Sequence, residues 1–326
     1  MSEAQTAGTG PHGERIDVAE TGRRYLTYAE RRGRKASTRK NVESEVRVHL
    51  APFFGTRALD AIRPADVADL VTALERKGLA PKSIRNVIGT LSAPFNFARS
   101  PQRGWAKSNP CEGLELPMVP VSVEIRFLTL DESDVLIENV RSGIFEAIDR
   151  AMYRTAAMTG LRQGELMALR WRDVDWQAQR IRVRQNWVLG EFGTPKSRRS
   201  TRSVPMADEV AGELDRLFKG SRWQADDDLV FAAPHTGEPP YKPGILKRFR
   251  KALRAAHLDE SHRFHDLRHT FGTRMAAAGV PMRTVQDWMG HRDLSTTQRY
   301  ADYAPSSQEA EMVAAAFARR VESSVA

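Results

Sequence analysis

The chain has 326 residues, with 50 Lys and Arg against 41 Asp and Glu, a formal net charge of +9. That length allows two domains with sizeable cores. The single cysteine, Cys111, excludes an intramolecular disulfide framework. No apolar run approaches the roughly 18 residues that a membrane span needs, so a membrane partner is not expected and a cytoplasmic setting is. The charge is uneven: residues 15–110 hold 19 basic and 9 acidic side chains, residues 126–326 hold 31 and 27. A basic first third suits a polyanion such as DNA.

In chain order, residues 1–14 carry almost no large apolar side chain and read as a flexible tail. Residues 15–110 read as four short amphipathic helices. The first spans Ile16 to Arg32. The second follows a capping Ser37 or Thr38 and is closed by Pro52 and Gly55. The third starts at Pro64, with Val67, Leu70, Val71 and Leu74 at helical spacing. The fourth starts at Pro81, with Ile84, Val87, Ile88, Leu91 and Phe95. Six basic residues crowd positions 31–40. Thr38, Arg39, Lys40, Lys82 and Arg85 are the candidate DNA contacts of this lobe. Residues 111–125, rich in proline and without periodicity, read as a linker.

The second lobe, 126–305, opens with a helix capped by Thr129, then a buried helix from Ile144 to Met158. A short helix begins near Glu165. Arg180 to Arg184 alternates like a strand, and Trp187-Val188 and Ser203-Val204 are expected to join it in a three-stranded antiparallel sheet. Thr194 to Pro205 reads as a hairpin with Lys196 near its tip. Asp226, Asp227 and Asp228 read as a solvated loop before a strand at Leu229 to Phe231, not as a metal cluster. Helices are expected at 207–218, 243–257 and 264–278. Met282 to Met289 makes a further short helix, and Ser295 to Thr297 can cap one that carries Tyr300. Residues 306–326 carry an apolar stripe at Met312, Val313, Ala316, Phe317 and Val321, a C-terminal helix. The fold class is therefore mainly α with a small antiparallel β-sheet, in two lobes.

His265 and Arg268, at i and i+3, share one face of a helix. Arg162 stands at a helix junction, His291 after a Gly turn, and Tyr300 on the last short helix. Two histidines, two arginines, a lysine and a phenol are the types needed to hold an anion beside a nucleophile.

Thr159-Gly-Leu-Arg-Gln-Gly-Glu-Leu166, His265-Asp-Leu-Arg-His-Thr270, Met289-Gly-His291 and Arg299-Tyr300 each make a modest motif. In this order, with Lys196 between the first two, they resemble the tyrosine recombinase (phage integrase) family over roughly residues 20–326. The resemblance implies a SAM-like, four-helix core-binding domain that clamps DNA and an α+β catalytic domain. It implies that Arg162, Lys196, His265, Arg268, His291 and Tyr300 are catalytic. Tyr300 would attack a scissile phosphate to leave a 3′-phosphotyrosyl bond. Arg162, Arg268 and His291 would hold the phosphoryl oxygens, with the phenolic pKa lowered by the cations. His265 would accept the phenolic proton, Lys196 would protonate the leaving 5′-oxygen, and Glu165 would orient a guanidinium or a histidine. His269 is expected to be a structural hydrogen-bonder behind His265, and Tyr303 is the lesser candidate for nucleophile. No metal or other cofactor is called for.

The implied function is site-specific recombination or integration through a four-way junction. The implied partners are two double-stranded DNA sites, a homotetramer and accessory DNA-bending proteins, with the protein nucleoid-associated when bound. The C-terminal helix could dock in cis or in trans. The alternatives are a type IB topoisomerase-like relaxase and a non-catalytic DNA-binding regulator.

Overall fold

A computed structural model describes residues 16–120, 125–193 and 202–301. The chain divides into two compact units, Met1–Val123 and Glu124–Ala326. The tail, the Lys196 segment, Tyr303 and the C-terminal stripe lie outside the described residues.

In the first unit, α1 (Val18–Arg31) starts where the Asp17 carboxylate accepts the Glu20 N–H at 2.7 Å. Next come α2 (Ala36–Glu45), a π-helical turn (Val46–Leu50) and α3 (Ala51–Phe54). The second helix thus begins at Ala36, without a side-chain cap from Ser37 or Thr38. Pro52 does not close it. Pro52 sits in the first turn of α3, where the wider π turn before it accommodates a residue lacking an N–H. Gly55 does end the run, at φ 56°. Both α4 (Pro64–Arg76) and α5 (Pro81–Ala98) carry proline at their start, as read. Their apolar stripes meet in one core, with Leu50, Val67, Leu70, Leu74, Ile84, Leu91 and Phe95 at most 1 % exposed. Each such side chain contributes roughly 1.5–3 kcal/mol by leaving water.

The start of the proline-rich stretch belongs to this unit. Cys111, Leu114 and Leu116 pack on its core. Arg85 donates from Nε to the Pro117 carbonyl at 2.8 Å and from Nη2 to that of Leu116 at 3.1 Å. The Arg85 guanidinium, expected on DNA, therefore straps the chain leaving the unit. Thr38, Lys40 and Lys82 are exposed, and Arg39 pairs with Glu30 at 2.5 Å.

The second unit opens with α6 (Leu130–Glu138), which Thr129 and Glu132 close in a capping box. Helix α7 (Glu146–Thr159) follows, with Ala151, Met152, Tyr153 and Thr155 fully buried. It is surrounded because α6 packs on it together with α9 (Asp208–Gly220), α10 (Lys242–Ala255) and α11 (Phe264–Ala277). The short α8 (Gln163–Leu166) leads to strands β1 (Val174–Asp175), β2 (Arg180–Val183), β3 (Asn186–Val188), β4 (Glu191–Gly193) and β5 (Arg202–Pro205). Antiparallel β1-β2-β5 form the three-stranded sheet, with Ile181 opposite Val204.

Two expectations fail here. Trp187-Val188 does not join that sheet; it pairs with β4 in a separate hairpin, Trp187 opposite Phe192. Leu229 to Phe231 is no strand. It makes one bridge, Leu229 to Arg170, and is buried as an irregular segment. In neither case did a short apolar run fix a hydrogen-bonding partner, and of the two only Leu229 to Phe231 is buried, Val188 being exposed. The last described helices of the unit are α12 (Met282–Met289) and α13 (Ser295–Gln298).

Candidate active site

Helix α12 ends at Gly290, at φ 64°. The carbonyls at a helix C-terminus lack intrahelical partners and carry the negative end of the helix dipole. Three consecutive ones each accept from a different arginine. Arg202 Nε donates to Trp288 O at 2.6 Å, Arg268 Nη2 to Met289 O at 2.5 Å, and Arg162 Nη2 to Gly290 O at 3.0 Å. Arg268 also donates to the Gly160 carbonyl, where α7 ends. A side chain at Gly290 would meet the Arg202 guanidinium at 2.9 Å, so the turn must be glycine on both counts.

Glu165 balances this cluster. It accepts from Arg162 Nη1 at 2.9 Å and takes a bidentate fork from Arg202 at 2.9 and 2.7 Å. Its second oxygen also accepts the Arg162 backbone N–H at 2.8 Å, the capping box of α8. Burial would raise its pKa, but the Arg202 fork and Arg162 outweigh burial and hold it at about 2. Burial and the neighbouring Arg162 push Arg268 down to about 9, which leaves it a cation at neutral pH. Arg268 is 2 % exposed, whereas the Arg162 side chain is 41 % exposed. Arg162 is therefore the cation with an open face.

On the other side of the site, Tyr300 follows α13 and is 3 % exposed. Its ring lies on Gly272 of α11, where an added Cβ would sit 2.6 Å from the ring. Its hydroxyl is 3.0 Å from His269 Nδ1. The His291 ring is stacked at 16° to it with centroids 6.2 Å apart, and His291 Nδ1 is 2.9 Å from the Thr297 hydroxyl. His265 is exposed and meets the His269 ring edge-on at 4.9 Å.

Burial and the nearby arginines lower the pKa of His291 to about 3, and burial lowers that of His269 against the pull of Asp266. His265 has an open side, but the loss of water on its inner side, with His269, Arg268 and Arg162 beside it, lowers its pKa to about 4. All three are neutral at physiological pH.

The structure thus brings together Arg162, Glu165, His265, Arg268, His291 and Tyr300. Lys196 lies outside the described residues. Two expectations change. The phenolic pKa is raised, not lowered, because burial outweighs Arg268, Arg299 and Arg162. The side chain on the phenolic oxygen is His269, not His265: one helical turn on, it lies under Tyr300 while His265 is the more open of the two. Glu165 takes the first of its two expected roles and orients guanidiniums, those of Arg162 and Arg202. Arg202, which the sequence reading missed, is the third member of the cluster. Its signal was an arginine at the start of a strand otherwise bound for the core, beside the buried Val204.

Comparison with known proteins agrees with this geometry. Residues 126–307 match the phage integrase family. A tyrosine recombinase XerC-like protein of Caldanaerobacter subterraneus subsp. tengcongensis is 26 % identical over 317 residues, 90 % of this chain and 78 % of the relative. Among solved structures, the Tn1549 transposon integrase in complex with transposon right end DNA shares the fold. Its TM-score is 0.74 at 24 % identity, covering 92 % of this chain and all of that one. A lambda integrase tetramer bound to a Holliday junction matches at a TM-score of 0.67 and 19 % identity, over 89 % and 79 %. The chain belongs to the phage integrase family, the tyrosine recombinases, enzymes that cut and rejoin DNA.

Proposed function

We propose that this chain is a site-specific DNA recombinase of the integrase type, with Tyr300 as nucleophile and Arg162, Lys196, His265, Arg268 and His291 as its catalytic partners. The observation that carries the reading is the convergence of a buried phenol, three neutral imidazoles and a carbonyl-anchored arginine cluster on one helix end.

Breaking a phosphodiester by displacement needs neutralised phosphoryl oxygens, a nucleophile and a protonated leaving oxygen. Arg162 spends two donors on protein and keeps the rest for a phosphoryl oxygen. Arg268 supplies positive charge beneath it. With the Thr297 hydroxyl donating to Nδ1, His291 carries its proton on Nε2 and can donate it to the phosphate. Neutral His265, on the open side, adds a further hydrogen-bonding group. Tyr300 attacks phosphorus as its hydroxyl gives up its proton to a neighbouring imidazole, the 5′-oxygen leaves with a proton from Lys196, and a 5′-hydroxyl of a partner duplex reverses the step.

One ester replaces another, so no external energy source is required. A lobe at residues 15–110 would clamp the duplex, residues 111–125 would link it to a catalytic lobe at 126–305, and residues 306–326 would form a helix that docks on a neighbour. The working assembly would be a tetramer on two DNA sites; the lambda integrase forms a tetramer bound to a Holliday junction. Accessory DNA-bending proteins would aid that assembly. With DNA as substrate the protein would work in the cytoplasm, on the nucleoid.

The test uses a nicked duplex and a denaturing gel. Tyr300→Phe should bind DNA and form no covalent adduct, while Tyr303→Phe still forms one. An active Tyr300→Phe would refute the assignment. A wild-type chain that binds DNA without ever forming an adduct would favour a regulator instead.

A further inference from the structure

The Tyr300 hydroxyl makes one hydrogen bond among the described residues, to His269 Nδ1 at 3.0 Å. Its nearest imidazole by ring distance is also His269, at 5.8 Å, ahead of the stacked His291 at 6.2 Å. His291 has its own Nδ1 taken by Thr297. His265 makes no hydrogen bond among the described residues and presents its ring to solvent. From this geometry we infer that His269 is the group that takes the phenolic proton when Tyr300 attacks. This rests on Tyr300 being the nucleophile, and it moves the general base from the first histidine of the His265-Asp-Leu-Arg-His motif to the second.

The step balances simply. The Tyr300 O–H bond breaks as the bond from its oxygen to phosphorus forms. The proton goes to His269 Nδ1, and the phosphorus bond to the 5′-oxygen breaks, that oxygen leaving with a proton from the acid on its own side. In the reverse direction His269 returns its proton to Tyr300.

The surroundings suit the task. A phenol whose pKa is raised by burial reaches neutral pH protonated, and an imidazole whose pKa burial lowers reaches it neutral. With the His269 proton on Nε2, the hydroxyl donates and Nδ1 accepts, and this is the tautomer the inference requires. The charged and titratable groups around His269 are Asp266, Arg268, Arg263 and His265 on its own helix, with Arg299 and Tyr300 from the segment opposite. Asp266 favours the imidazolium that forms, and the arginines oppose it. That opposition keeps the proton on loan and suits a reversible reaction. Gly272, one turn further along α11, lets the Tyr300 ring lie close enough for the contact.

The experiment measures single-turnover adduct formation on a nicked duplex against pH, with the full-length chain. The variants are His269→Ala, His269→Gln, His265→Ala and Tyr300→Phe. Tyr300→Phe separates the two ideas: if it still forms an adduct, the nucleophile assignment fails whatever His269 does.

With Tyr300→Phe inactive, the wild type is expected to be flat through neutral pH. His269→Ala is expected to fall about 100-fold, the usual worth of a general base. Its rate should then rise tenfold per pH unit as solvent takes over, and added imidazole should restore it. His269→Gln keeps a hydrogen-bond acceptor without a basic nitrogen, so it should show the same loss and slope. It also serves if the alanine variant folds poorly. His265→Ala should keep a flat profile and gain nothing from imidazole. A wild-type rate in either His269 variant, or a loss without pH slope or imidazole rescue, would overturn the inference.

Discussion

The two halves of the site are held in different ways. On the arginine side, every guanidinium is fixed by at least one backbone carbonyl, Arg162 and Arg202 also by the buried Glu165 carboxylate, and Arg268 and Arg202 are nearly sealed from water. On the tyrosine side, a phenol after a four-residue helix is held by ring contacts and one hydrogen bond. Charge must be pre-positioned, because a cation that has to reorganise at the moment of reaction stabilises the transition state less. A nucleophile must instead travel from its own ring to a phosphorus and back. Contacts that are individually weak allow that travel.

If this contrast holds, damage to the arginine side should cost both folding and chemistry, and damage to the tyrosine side chemistry alone. The largest effect is expected from Arg268→Ala. It leaves the Gly160 and Met289 carbonyls buried and unpaired and removes a central charge. Adduct formation should fall by more than about 10³-fold, and stability by about 3–5 kcal/mol in urea titration. A stable, inactive Arg268→Ala would show that the carbonyl anchoring is incidental.

Arg202→Gln should come next. Glu165 loses its bidentate partner and Trp288 O its donor, which costs about 3 kcal/mol. Adduct formation should drop about tenfold through a loosened Arg162. Unchanged stability would mean the fork contributes nothing net.

Gly272→Ala tests the tyrosine side. Its Cβ falls 2.6 Å from the Tyr300 ring, so the ring must move. The expected loss is about 10²-fold in adduct rate from misplacement, with a stability change of about 1 kcal/mol. Both are read on the same samples. A larger loss of stability than of rate would reverse the contrast drawn above.

Acid is a milder probe of both sides. An unfolded histidine takes a proton near pH 6.5, but folded His265 and His291 do so only at about 4 and about 3. The unfolded chain therefore binds more protons in that window, and stability should fall as pH drops from about 6.5 toward 3. The stabilisation from Glu165 is present above its unfolded value of 4.5 and is lost only as pH falls through about 2. His291→Gln should flatten the upper part of the curve. An unaltered slope would remove His291 from the account.

The smallest effect is expected in the first unit. Charge reversal at Lys40 should weaken DNA binding equally across sequences and lower the salt slope by about one per lost phosphate contact. Reversal at Arg39 should do less, since Glu30 already holds it.

Much of this was legible in one chain of residues. Helices such as Pro64–Arg76 and Pro81–Ala98 declare themselves by apolar period and a starting proline, both local properties. The Thr129 cap and the Gly290 turn are equally local. The residue types of the site, Arg162, His265, Arg268, His291 and Tyr300, stood in a recognisable order. What sequence could not decide was which groups meet. Trp187-Val188 and Leu229 to Phe231 are apolar enough for strands, yet strand pairing is a choice among distant partners. Arg85 was read only as a phosphate contact; the fold also gives it two carbonyls 31 and 32 residues away, which no local pattern announces. The phenolic pKa depends on burial against nearby charge, and only the packed ring on Gly272 sets that balance. His265 and His269 are one helical turn apart and chemically identical, so the sequence offers no ground for choosing between them. The segment after α13 crosses α11 at the second of them, and that crossing is what puts the phenol on His269.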